Sequence, residues 1–343
     1  MDGDVRIGTC GWSYPSGRGT WNGLFYPPAA ARGRRRFDEL AYYADHFDTV
    51  EVNSTFYRVP GVEMARSWAA RTPAAFEFSV KLYQGFTHPT MAAGSAGSGT
   101  RRPAPGARNA ETATERRTIG GSEDARAVPA VTQHDVDDFR KSIEPLAEAG
   151  KLGALLVQFP PSFKQSPRSV QYLDWLLRAF SGYSLAVELR DRTWSDTLET
   201  TLPLLGEFGA AWVQIDEPKF RFSVRQNRLP NVTGFYYMRL HGRNAQKWWR
   251  HDESEDRYDY LYSPEELRPF SETVKAVRTL VRKAYLYLNN HFAAKAVADA
   301  VELKHQLGAP VTGEYRPEML AAYPFLQRIP ACKPEPALLP PPS

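Results

Sequence analysis

The chain has 343 residues, 42% of them hydrophobic and 24% charged, and a formal net charge of +4. This is the profile of a soluble globular protein of one large domain or two small ones, and so slight a positive excess does not by itself call for a nucleic-acid partner. No run approaches the roughly eighteen apolar residues of a membrane span; Cys10 and Cys332, at opposite ends, give no disulfide framework; and the acidic start Met1-Asp2-Gly3-Asp4 lacks a signal-peptide core, so a cytoplasmic protein is expected.

The first strand is expected over 5–9, running into Cys10-Gly11-Trp12-Ser13-Tyr14 and a Gly- and Pro-rich loop that holds Trp21, Phe25 and Tyr26. The basic run 32–36 reads as a solvated loop or an anion patch. A helix follows over 37–46, with Leu40, Tyr43, Ala44 and Phe47 at helical spacing. Strand 2 ends at Asn53, helix 2 covers 62–71 and strand 3 covers 76–82. Residues 91–130 are Ala, Gly, Ser, Thr, Arg and Pro with almost no large apolar side chain, which predicts a long disordered insertion. Helix 3 resumes over 135–149. Strand 4 (153–159) closes on Pro160-Pro161, and helix 4 (167–180), strand 5 (184–189), helix 5 (within 197–208) and strand 6 (211–215) follow. The connection 217–231 shows no 3.6-residue periodicity, so the sixth helix is expected to be degenerate. Strand 7 (235–240) leads into an aromatic loop with Trp248, Trp249, Tyr258, Tyr260 and Tyr262. Ser263-Pro264-Glu265-Glu266 reads as an N-cap with proline at the first helical position. Strand 8 (284–288) and a helix over 293–307 complete the pattern, and 309–343 form an extension ending in a proline-rich tail.

Several strands carry polar side chains two residues apart at or near their ends: Glu51 and Asn53, Ser79 and Lys81, Glu188 and Arg190, Gln214 and Asp216, Arg239 and His241. Residues two apart share a face of a strand. Helical stretches separate most of the runs, which argues for parallel strands under a helical outer layer. The expected fold is an α/β (β/α)8 TIM-type barrel over 1–308, with Glu51, Lys81, Gln158, Glu188, Asp216, Arg239 and Asn289 facing one lumen.

The motifs Ile7-Gly8-Thr9-Cys10-Gly11-Trp12-Ser13-Tyr14, Phe25-Tyr26-Pro27, Val50-Glu51-Val52-Asn53-Ser54-Thr55-Phe56-Tyr57, Leu156-Val157-Gln158-Phe159-Pro160-Pro161, Ala186-Val187-Glu188-Leu189-Arg190 with Trp194, Arg239-Leu240-His241-Gly242 and Tyr287-Leu288-Asn289-Asn290 resemble those of the DUF72 (YecE-like) family. The motifs come in the family's order over nearly the whole domain. The resemblance implies a TIM-type barrel and supplies no activity. The insertion and the tail depart from the family pattern.

Active sites of such barrels lie at the C-terminal ends of the strands. Candidate catalytic residues are Glu188, Asp216 and His241, on consecutive strands and able to share protons with a ligand. Candidate substrate-binding residues are Trp12, Asn53, Tyr57, Lys81, Gln158, Arg190, Arg239, Asn289 and Asn290. Guanidinium forks match phosphate or carboxylate, so the expected ligand is a small or medium anion, and the expected chemistry is hydrolysis or proton transfer with no cofactor and no metal. Asn289-Asn290 at the start of the last helix reads as a phosphate site or as a simple N-cap by Asn290. Trp12, Tyr14, Phe56, Tyr57 and Trp194 read as a rim or as packing. Three alternatives stay open: a lumen of mutually satisfied ion pairs such as Glu188 with Arg190 or Arg239, a metal-dependent hydrolase using Glu188, Asp216 and His241, and a non-catalytic barrel binding a ligand or nucleic acid.

Overall fold

The structure, a computed structural model, describes residues 2–28, 37–89, 128–249 and 254–332. The basic run 32–36, nearly all of the insertion expected over 91–130, and the proline-rich end beyond 332 lie outside the described residues, as does the side chain of Trp249. The strands are β1 (Asp4–Thr9), β2 (Thr49–Val52), β3 (Glu77–Lys81), β4 (Leu152–Gln158), β5 (Leu185–Glu188), β6 (Ala211–Trp212), β7 (Gln214–Asp216), β8 (Phe235–Leu240) and β9 (Lys283–Leu288). Every pairing between them is parallel, in a four-stranded sheet ordered β1-β9-β8-β7 and a five-stranded sheet ordered β2-β3-β4-β5-β6.

The sheets touch at both edges. Cys10 and Glu51 form a single parallel bridge, and the Gly11 N–H donates to the Glu51 carbonyl at 2.8 Å. At the other edge β6 and β7 are one expected strand interrupted at Val213, whose N–H donates to the Val187 carbonyl at 2.9 Å.

The helices are α1 (Glu39–Ala44), α2 (Ser54–Tyr57), α3 (Val62–Ala70), α4 (Gln133–Glu148), α5 (Pro167–Ala179), α6 (Arg192–Asp196), α7 (Leu198–Glu207), α8 (Ala245–Trp249), α9 (Pro264–Val277), α10 (Lys295–Leu307) and α11 (Pro317–Ala322). Their starts follow from capping chemistry. Thr132 with Asp135, Ser166, and Ser263 with Glu266 each accept first-turn N–H groups that an α-helix leaves unpaired. Gly308, at φ 67°, ends α10 in the left-handed conformation that glycine adopts without strain. Between Asp216 and β8 the described residues contain no helix, as the aperiodic 217–231 implied.

The outward side chains of the strands make the core. Phe78, Val80, Leu155, Val187, Leu240, Leu286 and Leu288 are fully buried, together with Leu173, Leu176 and Leu177 of α5 and Val297 and Val301 of α10. Burying each such aliphatic side chain contributes about 1.5–3 kcal/mol, so this layer is what holds the helices to the sheets. The stretch 309–332 belongs to the same body. Met319 and Leu326 are fully buried, the Tyr323 hydroxyl donates to the Ala293 carbonyl, and a ring nitrogen of His46 lies 3.0 Å from the Glu314 carbonyl. No helix among the described residues is long and apolar enough to cross a membrane.

Candidate functional site

Strand register decides which side chains meet. Glu51 pairs with Ser79, Gln158 with Glu188, and Arg239 with Tyr287, and laterally paired residues point to the same face of a sheet. Three polar tiers result on the face the two sheets share. In the lowest, Glu77 accepts from the Lys283 ammonium and the Tyr285 hydroxyl, both at 2.6 Å. In the middle, the Tyr287 hydroxyl lies 2.6 Å from that of Thr49 and 2.9 Å from that of Ser79.

The third tier is built on Arg239, which is 1% exposed. Its Nε and Nη2 donate to the two carboxylate oxygens of Glu51 at 3.0 and 2.7 Å, across from one sheet to the other. Its Nη1 donates to Glu188 Oε2 at 2.6 Å and to Gln158 Oε1 at 2.9 Å. The Tyr237 hydroxyl adds a bond to Glu51 at 2.7 Å, and Cys10 Sγ lies 3.7 Å from Nη2. Burial first, then the Glu51 carboxylate, push the Cys10 thiol well above its usual range, so it is protonated and no nucleophile in this setting.

Above this tier, at the strand ends, Glu188 and His241 come together. Arg190 Nε donates to Glu188 Oε1 at 2.7 Å, and His241 Nε2 stands 3.6 Å from the same oxygen. Burial opposes charge on Glu188, but Arg239 and Arg190 outweigh it and hold the carboxyl well below its usual range. Burial, followed by the neighbouring Arg239, pushes His241 down to about 4. Its Nδ1 lies 2.9 Å from Asn289 Nδ2, which can only donate. With Nδ1 accepting from that amide, the neutral ring carries its proton on Nε2, which faces Glu188 Oε1 and has Arg239 Nη1 3.5 Å away.

Asp216 does not join this group, contrary to expectation. β7 pairs Ile215 with Arg239 and Asp216 with Leu240, so Ile215 turns inward while Gln214 and Asp216 face out. The reason is phase. Alternation in 211–216 is real, but Ala211, Val213 and Ile215 are its inner members. Asp216 instead takes Arg243 Nε and Nη2 at 2.8 and 3.0 Å and the Tyr262 hydroxyl at 2.7 Å. Arg243 and Tyr262, its actual partners, carry no signal in the strand alternation that could have found them. The three-residue metal set does not assemble either, and no group of three His, Cys, Asp or Glu among the described residues is placed to hold an ion.

The remaining candidates are scattered around the strand ends. Lys81 Nζ lies 3.8 Å over the Phe56 ring. Asn53, just after β2, has a buried Oδ1 with no hydrogen-bond partner among the described residues, which is the kind of acceptor a ligand or water satisfies. Trp12 packs edge-on against Trp68 at 5.7 Å, and Tyr57 is exposed at the rim. Trp194 is wholly buried and donates to the Phe163 carbonyl, which makes it packing. Asn290 is no N-cap: its amide donates to the Tyr260 carbonyl at 2.8 Å and to Asp299 at 2.6 Å, and α10 begins later, after Ala293 and Ala294 in the left-handed region at φ 52° and 61°. His291 is half-buried, its ring stacked 4.4 Å from that of Tyr14 and tilted against that of Tyr258 at 5.0 Å.

The family described as "Protein of unknown function DUF72" matches residues 6–321. The chain belongs to the DUF72 family. As a DUF72 protein it is similar to the UPF0759 protein YunF of Bacillus subtilis, 25% identical over 321 residues that span 90% of this chain and 96% of that protein. Among solved structures it is similar to a DUF72 family protein of Thermotoga maritima, with TM-score 0.67 at 30% identity, covering 89% of this chain and 99% of that one. A DUF72 family protein of Enterococcus faecalis shares the fold at TM-score 0.66 and 23% identity, over 89% of this chain and 96% of that one.

Proposed function

We propose that this DUF72 protein is an enzyme that acts, by proton transfer or hydrolysis, on a small ligand bearing phosphate or carboxylate where the inner strands end. The fold that goes with this reading is a (β/α)8 barrel of TIM type. In it β6 and β7 count as one strand, and the edges meeting at Cys10–Glu51 and Val213–Val187 are its two seams. Barrels of that type place chemistry at the C-terminal strand ends, where Asn53, Lys81, Arg190, His241 and Asn289 lie.

The observation that carries the reading is the Glu188–His241 pair, an ionised carboxylate beside a neutral imidazole. A neutral ring N–H can polarise a carbonyl or phosphoryl oxygen while a carboxylate handles a proton, with no cofactor. Lys81 and Arg190, at 5% and 6% exposure, lie nearer solvent than Arg239 and bring the positive charge an anion needs. We place the protein in the cytoplasm, since Cys10 and Cys332 are both free thiols.

Anion binding is tested by thermal unfolding. Phosphate, sulfate or phosphorylated metabolites should raise the midpoint above that in chloride of equal ionic strength, because a ligand of the native state stabilises by mass action. Arg190→Met should abolish the increment. A flat response of the wild type counts against the reading. It would favour the alternative that these charges serve folding alone, which draws on one observation: Arg239 spends its donors on Glu51, Gln158 and Glu188.

A further inference from the structure

The segment after β7 builds a cavity of its own, away from the face that holds Glu188 and His241. With no helix between Asp216 and β8, a space of about 440 Å³ opens beside the outward side chains Gln214 and Asp216. The segment is pinned rather than loose. Gln226 accepts from the Ile215 N–H at 3.0 Å and donates to the Val213 carbonyl at 2.7 Å, and Gln214 accepts from the Arg228 N–H at 3.0 Å. Arg228 is held at φ 62°, which a residue other than glycine adopts only under constraint from its surroundings.

Four cations line this cavity: Lys219, Arg221, Arg225 and Arg228. Arginines on neighbouring elements are paired, Arg178 with Asp174, Arg192 with Asp196 and Arg243 with Asp216. None of the four lining cations has a carboxylate partner among the described residues. Asp216, the one acidic residue of the lining, is already neutralised by the Arg243 fork. Positive charge is thus concentrated and uncompensated at a concave site. Phe220, also in the lining, stacks with Phe222 at 5.5 Å and 12°, and Phe222 is 39% exposed.

We infer that this cavity binds a diphosphate group, inorganic or carried by a nucleoside. Guanidinium groups match phosphate oxygens in pairs, and several cations are needed to offset a group bearing about three negative charges. The volume is that of a small-ligand site. The stacked phenylalanines offer a flat apolar surface beside the cations, on which a base would stack. This site lies on the other side of β7 from the proposed inner one, because Gln214 and Asp216 point away from Glu188 and His241.

The test is isothermal titration of the full chain with inorganic pyrophosphate and, separately, ADP, at fixed ionic strength. Saturable one-to-one binding of pyrophosphate is expected, weakened by roughly tenfold or more in the Arg221→Gln, Arg225→Gln double variant. Both positions are exposed, so the fold should survive the change. Affinity should be retained in Lys81→Met, which removes an inner-face cation on β3, in the other sheet from β7. Tighter binding of ADP than of pyrophosphate identifies a nucleotide as the better ligand, and equal binding supports the diphosphate site alone. Absence of saturable binding, unchanged affinity in the double variant, or loss in Lys81→Met would each overturn the inference. So would binding only to a single-stranded oligonucleotide.

Discussion

Replacing Arg239 by Met is expected to cost about 3–5 kcal/mol of folding stability, the usual penalty for removing one partner of a buried ionic cluster. Met matches the length and apolar character of the stem, so the loss isolates the guanidinium. Without it, Glu51 is left with the Tyr237 hydroxyl and Glu188 with Arg190, both carboxylates being fully buried. Urea unfolding of the wild type and variant measures the difference. A companion variant that also carries Glu51→Leu should recover part of the loss, because an apolar replacement removes the stranded charge. A loss under about 1 kcal/mol would mean that these carboxylates reach water or protonate cheaply, contrary to their burial.

The second large effect is a fall in stability on mild acidification. His241 titrates near 4 in the folded chain against 6.5 in the unfolded one. Between these values the unfolded state binds more protons, so stability rises with pH across the window and is lost as pH falls through it. The full difference corresponds to roughly 3 kcal/mol. Glu188 acts in the same direction lower down: its depressed value gives stability that is present above the unfolded value of 4.5 and lost as pH falls through the folded one. Asp299, raised well above 3.8 by burial, has the opposite sign, stabilising at acid pH and losing that contribution as pH rises. His46 and His291 are also lowered, chiefly by burial. Urea midpoints measured from pH 7 to pH 4 should therefore fall steeply in the wild type and less steeply in His241→Gln. Identical slopes in the two would show that His241 is not held neutral.

Much of the fold was legible because it rests on local signals. Apolar residues at helical spacing, the Ser263 cap and the period-two strands mark nearly every large element to within a residue or two. The absence of a helix after Asp216 was legible from the same kind of signal, a stretch with no periodicity. Much of the inner polar face was legible as well, since Glu51, Gln158, Glu188, Arg239 and His241 all lie on it.

What was not legible depends on contacts between distant parts of the chain. Alternation gives the two faces of a strand but not which one is inner, and for Asp216 only the pairing with Leu240 fixes the phase, facing it outward. The length of an arginine does not say whether its fork meets a ligand or a carboxylate on another strand, and Arg239 meets Glu51. Asn290 looks like a cap because it precedes a helix, yet Asp299, one turn inside that helix, takes its amide. The packing of 309–332 against the main body likewise follows from contacts such as His46 with Glu314 that no local pattern announces.

The neutral imidazole beside an ionised Glu188 is the centre of the functional reading, and side-chain nitrogen NMR of His241 between pH 4 and 8 tests it directly. The expected spectrum is that of a neutral ring protonated on Nε2, persisting down to about pH 4, with perturbation of that signal when phosphate is added. An imidazolium at pH 6.5, or a proton on Nδ1, would contradict it.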